Sequence, residues 1–151
     1  MQWMRWTMPA IAVMSAAAPA YATQYMTVAE AQKRAFPNAQ LAEVQAGRVW
    51  KAEAGGRPIG YFFFDHVIGK HLNIDYSVAL GPDGRVHRVD ILEYRESYGG
   101  EVRDAAWLGQ FAGKGPQGAL DVRTISGATL SSTHITEGVK RVLAYYESHL
   151  K

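Results

Sequence analysis

Between Thr124 and Gly138 the chain reads TISGATLSSTHITEG, and five of the eight residues from Thr129 to Thr136 carry hydroxyls. Ser126-Gly127-Ala128-Thr129 ends a strand-like run and opens a helical pattern. The first N–H groups of a helix have no internal partners and carry partial positive charge, so they favour an anion. Gly127 permits a tight turn or a close backbone approach, and Ala128 adds little bulk. Ser131 and Ser132 can donate hydrogen bonds to phosphate oxygens. Ser and Thr are also ordinary helix caps. The residues alone therefore leave two readings open, a capped helix start or a seat for a phosphorylated ligand.

Other chemistries find less support. Asp65, His66 and His71 are metal-ligand types, but the two histidines stand five apart, which suits neither one helix face nor one strand face. The chain has no cysteine and no H-E-x-x-H pattern, which argues against a metal site and excludes disulfides and a thiolate nucleophile. No Ser-His-Asp order carries a local hydrolase signature. The net charge of +2 comes without a basic run, which argues against a nucleic-acid partner.

Around the hydroxyl motif the chain reads as one domain. Thr27 and Glu30 form a capping box, Val28, Ala31 and Ala35 share a helix face, and Pro37 stops it, which predicts a helix over Val28–Phe36. Val49–Ala54 alternates like a strand. Gly60–Val67 is almost unbroken in apolar residues, as for a strand buried on both faces or shared between core and ligand. Ile74, Tyr76, Val78 and Leu80 alternate, as do Val89 and Ile91, with Gly81-Pro82-Asp83-Gly84 between them, which predicts an antiparallel hairpin. Asp104–Phe111 fits a short helix carrying Trp107, Leu108 and Phe111, an apolar trio at the spacing of core residues. Residues 113–118 read as a Gly-rich loop, and LDVRTI as a last strand. Ile135, Val139, Val142, Leu143, Tyr146 and Leu150 keep helical spacing, predicting a helix from Ser131 or Ser132 to the end. The sum is an α+β fold, an antiparallel sheet with an N-terminal helix and a long C-terminal helix packed on it.

The first 22 residues have a separate logic. Arg5, an apolar stretch from about Trp6 to Ala18 and then Ala20-Tyr21-Ala22 describe a secretory signal peptide, with an apolar run too short for a membrane helix. Cleavage after Ala22 leaves Thr23–Lys151 as the exported domain, and the leader suits a bacterial periplasmic destination.

ISGATLSS closely resembles the signature of the FMN-binding domain family, in which Ser/Thr-Gly-Ala-Thr precedes hydroxyls and a helix. ILEYRESYGGEV, WLGQFAGK and TVAEAQKRAFPNA are similar to the family's segments in the same order. The family includes flavin subunits of the Rnf and sodium-translocating quinone reductase complexes and small exported flavoproteins. In its flavinylated members the last Thr of the motif bonds the FMN phosphate as a phosphoester, installed by a separate flavin transferase; that position is Thr129. The resemblance implies that Ser126, Gly127, Ala128, Leu130, Ser131 and Ser132 shape the phosphate site. It also implies that the loop with Glu96 and Tyr98 approaches the flavin ring, Tyr98 by stacking and Glu96 by accepting a hydrogen bond. Arg123 stands where flavinylated members usually carry Asp, three residues before the Ser, and its guanidinium suits a phosphate. Lys114 is a further cation that can neutralise phosphate or reduced flavin. The implied function is an exported FMN electron carrier, rather than a stand-alone enzyme, with a membrane-bound or periplasmic redox partner. The alternatives are a flavin reductase that binds FMN reversibly and a binding module that has lost flavin.

Overall fold

The computed structural model describes residues 22–151; the leader expected over residues 1–22 lies almost wholly outside them. The described chain forms a six-stranded antiparallel sheet in the order β1-β6-β5-β4-β3-β2. The strands are β1 (Thr23–Gln24), β2 (Gln40–Gln45), β3 (Val49–Ala54), β4 (Arg57–Ile68), β5 (Asn73–Leu80) and β6 (Val86–Tyr94). The helices are α1 (Val28–Ala35), α2 (Ala105–Leu108) and α3 (Thr129–His149), with single 3₁₀ turns at Gly100–Arg103 and Gly109–Phe111. The α+β architecture with its two terminal helices is as the sequence predicts.

Local chemistry explains the elements that the sequence makes legible. Thr27 Oγ1 accepts from the Glu30 N–H at 3.2 Å, and Glu30 Oε2 accepts from the Thr27 N–H at 2.7 Å, closing the capping box of α1. The β5–β6 hairpin closes where Gly81 N–H donates to Arg85 O at 2.8 Å and Gly84 N–H to Gly81 O at 3.0 Å. Gly84 takes φ +78°, and a Cβ there would run into the Tyr146 ring. The aromatic run of β4 is buried on both faces: Phe63 packs in the α3 layer with Ile74, Tyr76 and Ile135, whereas Phe62 packs in the α1 layer with Ala31, Ala35 and Leu92.

Two expectations are corrected, and two strands are added. LDVRTI is not a strand. Its side chains Leu120, Val122 and Ile125 lean on the α3 core, while side chains occupy its main-chain groups: Trp107 Nε1–H donates to Arg123 O at 2.6 Å, and Arg123 N–H donates to Gln110 Oε1 at 3.2 Å. α3 begins at Thr129, two or three residues earlier than the apolar spacing places it. The edge strands β1 and β2 had no counterpart in the sequence reading, because both are largely exposed and carry too few apolar residues to show a period. No helix of the described residues is long and apolar enough to cross a membrane.

Candidate functional site

The first turn of α3 is the structural centre of the hydroxyl motif. Ala128 is its N-cap and offers no side-chain hydrogen bond, and Gly127 before it takes φ +83°. Ser132 N–H donates to Ala128 O at 2.9 Å and so starts the helical ladder. The N–H groups of Thr129, Leu130 and Ser131 precede that first bond, so a 21-residue helix presents an uncapped, positively polarised end. A cavity of about 570 Å³ lies directly against this end.

Three segments wall that cavity: the β4–β5 turn at Lys70–Leu72, the loop after β6 at Glu96–Gly99, and Gly127–Ser131. Two side chains tie the first wall to the other two. Glu96 Oε2 accepts from Lys70 N–H at 2.9 Å, and its Oε1 accepts from Leu72 N–H at 2.6 Å and from His71 N–H. Partial burial works to raise the Glu96 pKa, but these three main-chain donors outweigh it and hold the carboxyl below its ordinary value. His134 on α3 meets the same turn through Nδ1, which lies 3.1 Å from Gly69 O and also contacts Ile68 O. Both partners are carbonyls, so that nitrogen carries the proton.

A third tie joins the loop to α3. The Tyr94 hydroxyl bonds the Tyr98 carbonyl and stands 3.0 Å from Ser131 Oγ. The carbonyl can only accept, so Tyr94 donates to it and receives the Ser131 proton. Burial pushes the Tyr94 pKa up, which keeps the phenol protonated for this role. Gly99 takes φ +88° beside it, and a Cβ at that position would strike the Tyr94 hydroxyl.

Seven of the ten predicted site residues line this cavity: Thr129, Gly127, Ala128, Leu130, Ser131, Glu96 and Tyr98. Ser126, Ser132 and Arg123 do not. The Ser132 hydroxyl is fully enclosed; it donates toward Ala128 O at 2.8 Å and accepts from Ile125 N–H at 3.2 Å. Arg123 has an exposed side chain and a backbone held by Trp107 and Gln110. Trp107, Leu108 and Phe111 belong to the core, where the first and last rings meet edge to face at 5.3 Å. Lys114 pairs through its backbone with Val86 and Phe111, away from the cavity. Sequence reasoning missed Lys70 and Leu72 as wall residues, considered His71 only as a metal ligand, and missed His134. His134 meets a turn 65 residues away, and nothing in its local sequence announces that contact.

The cavity suits an anionic group on one side and an apolar ring on the other. Thr129 is exposed, with only a 3.5 Å contact from Oγ1 to Ile125 O. Nothing stands within 4 Å of where a Gly127 Cβ would be, so a ligand can reach the backbone there. Tyr98 and Leu130 are 86% and 50% exposed at the rim, a large apolar surface of the kind that a planar ligand or a partner covers. A family model described as the FMN-binding domain matches residues 69–144. The chain belongs to the FMN-binding domain family. FMN is the cofactor this membership assigns, and the uncapped helix end, the apolar rim and the cavity's size fit it. The match opens at Gly69, the start of the turn that Glu96 and His134 hold, and spans all three cavity walls. No curated protein matches the chain.

Proposed function

We propose that this FMN-binding domain is an exported electron carrier whose FMN phosphate is joined to Thr129 as a phosphoester. The observation that carries this reading is the pairing of the exposed Thr129 hydroxyl with the uncapped first turn of α3 at the cavity wall. The N–H groups of Thr129, Leu130 and Ser131 stabilise phosphate charge there, and no side chain competes for them as a cap. Bound FMN supplies the one- or two-electron redox chemistry, and the protein supplies position and electrostatics. Tyr98 and Leu130 shield one side of the ring from water, and Lys70 and His71 add cationic or polar surface on the opposite wall. Simple electron transfer asks for no general acid or base. The partner is a membrane-bound or periplasmic redox protein, and a separate flavin transferase forms the Thr129 bond. Residues 1–22 direct the chain to the periplasm.

The exposed Arg123, in place of the acid usual in flavinylated relatives, favours a second reading in which FMN binds reversibly at the same cavity. Acid precipitation of the protein produced with a flavin transferase separates the two. On the first reading the pellet stays yellow and Thr129→Ala gives a colourless one. Flavin released entirely into the acid supernatant, from a protein that was yellow before, sinks the phosphoester and leaves the reversible site.

A further inference from the structure

The outer edge of β6 is open along its middle. At one end Tyr25 and Met26 N–H donate to Leu92 O at 2.8 and 3.4 Å. At the other, Val86 N–H donates to Lys114 O at 2.7 Å, and Val86 O accepts from Gly113 N–H at 2.8 Å. Residues 87–91 between these closures have no strand partner on that side among the described residues. A cavity of about 390 Å³ fills the gap between this edge, α1 and the α2 segment.

Its walls hold three guanidinium groups, Arg34, Arg88 and Arg103, against one carboxylate, Asp90. Asp90 is nearly buried, and Arg88 grips both its oxygens, Nε at 2.6 Å and Nη2 at 2.9 Å. Arg34 reaches the same carboxylate only at 3.8 Å. Arg103 lies over the Tyr25 ring, 4.2 Å from its centroid, rather than against a carboxylate. The cavity therefore carries an excess of positive charge on a concave surface, with Tyr25, Met26 and Leu108 as its apolar part. Such a surface concentrates anions, and planar guanidinium forks match the paired oxygens of carboxylate and phosphate.

The geometry points to a second ligand site here, for a small organic anion whose carboxylate or phosphate is held by Arg34 and Arg103 while its apolar part lies against Tyr25 and Leu108. A peptide adding as a strand to β6 would have to run past both ends, and Tyr25–Met26 and Gly113–Lys114 close them; a small molecule fits between. The site shares no residue with the flavin cavity, so it stands or falls separately from the FMN reading.

Isothermal titration calorimetry of the flavin-loaded protein with inorganic phosphate, succinate and benzoate tests it. The expected result is saturable binding of at least one probe. Arg34→Gln and Arg103→Gln each weaken it at least about tenfold, the scale of one lost charge-assisted bond. Arg57→Gln, an exposed arginine outside the cavity, leaves it unchanged. Thermal melts establish that each variant is folded. Should Arg103→Gln fail to fold, Arg103→Lys keeps the charge, loses the fork and is expected to bind more weakly. The proposal is overturned if no probe saturates up to about 10 mM. It is equally overturned if the Arg34 and Arg103 variants bind like the wild type, or if Arg57→Gln weakens binding as much as they do.

Discussion

Thr129 and Glu96 sit on facing walls of one cavity, and their side chains have different work. Thr129 is exposed at the first position of α3 with its hydroxyl hardly engaged, whereas Ser131 and Ser132 spend theirs on Tyr94 and on the helix's own first turn. A phosphoester needs the oxygen and not the γ-methyl. Thr129→Ser is therefore expected to retain acid-stable flavin at a reduced yield, and Thr129→Ala none, read by flavin fluorescence of the denatured band on a gel. Equal labelling of the Ser and Ala variants would remove Thr129 from the chemistry. Glu96 holds the Lys70–Leu72 turn by three main-chain bonds. Glu96→Gln keeps the shape but leaves one acceptor oxygen for three donors, an expected loss of about 1–2 kcal/mol, low in the range because the group is only partly buried. Its pH dependence has a definite sign. A carboxyl whose folded-state pKa is lowered stabilises the fold above its unfolded value, and that contribution is lost as pH falls through the folded one. The wild-type melting temperature should thus fall on acidification from about pH 6 to about pH 3, and the Glu96→Gln variant should start lower and fall less. Parallel melting curves against pH would show that the tie contributes nothing.

At the scale of elements, α3 must lie close to the sheet for its first turn to reach the Lys70–Leu72 wall. Gly138 makes that approach possible: a Cβ there would come within 2.8 Å of Tyr76 Cζ and 2.9 Å of Val67 Cγ1. Alanine is the better helix former by about 1 kcal/mol, so propensity alone predicts that Gly138→Ala stabilises. Overpacking against a strand costs about 1–3 kcal/mol, and the expected net result is a lower midpoint in urea with a weaker hold on flavin. A variant more stable than wild type would mean that the helix shifts freely on the sheet. The elements legible in the sequence are those whose own residues carry the signal. The α1 capping box, the β5–β6 turn with its Gly84, and the apolar stripe of α3 from Ile135 onward are local patterns and predict correctly. The start of α3 at Thr129 was hidden because hydroxyl residues fill its first turn and break the apolar period. LDVRTI alternates like a strand yet bonds to side chains of Trp107, Gln110 and Ser132, partners that only the tertiary fold supplies. The motif on α3 was legible for the same reason as the helix itself. The turn that faces it was not, since Lys70, Leu72 and His134 acquire their place only when β4, β6 and α3 meet.

For the whole molecule, the sheet separates two layers with different duties. The α3 face carries the larger core and the candidate cofactor cavity, and the α1 face carries a smaller core of mostly alanines and phenylalanines. Without cysteine the domain has no disulfide to add to this packing. On the export proposed above, the edge of the sheet bears on where a leader would be cut. β1 pairs Thr23 with Tyr94 and Gln24 with Glu93, and the following Tyr25 and Met26 close the end of the β6 edge. A signal peptidase acting after Ala22 leaves that strand whole, while a cut two residues later deletes it and exposes the end of β6, next to the loop that carries Glu96 and Tyr98. The expected mature N-terminus is therefore Thr23. Intact mass spectrometry of protein recovered from the periplasmic and cytoplasmic fractions reads both halves of the proposal at once. The expected species is Thr23–Lys151 plus one FMN less one water, the balance of a phosphoester formed at a hydroxyl. The mass of Thr23–Lys151 alone, from cells that make a flavin transferase, would keep export and reject the covalent bond. The full chain with FMN attached and confined to the cytoplasm would do the reverse.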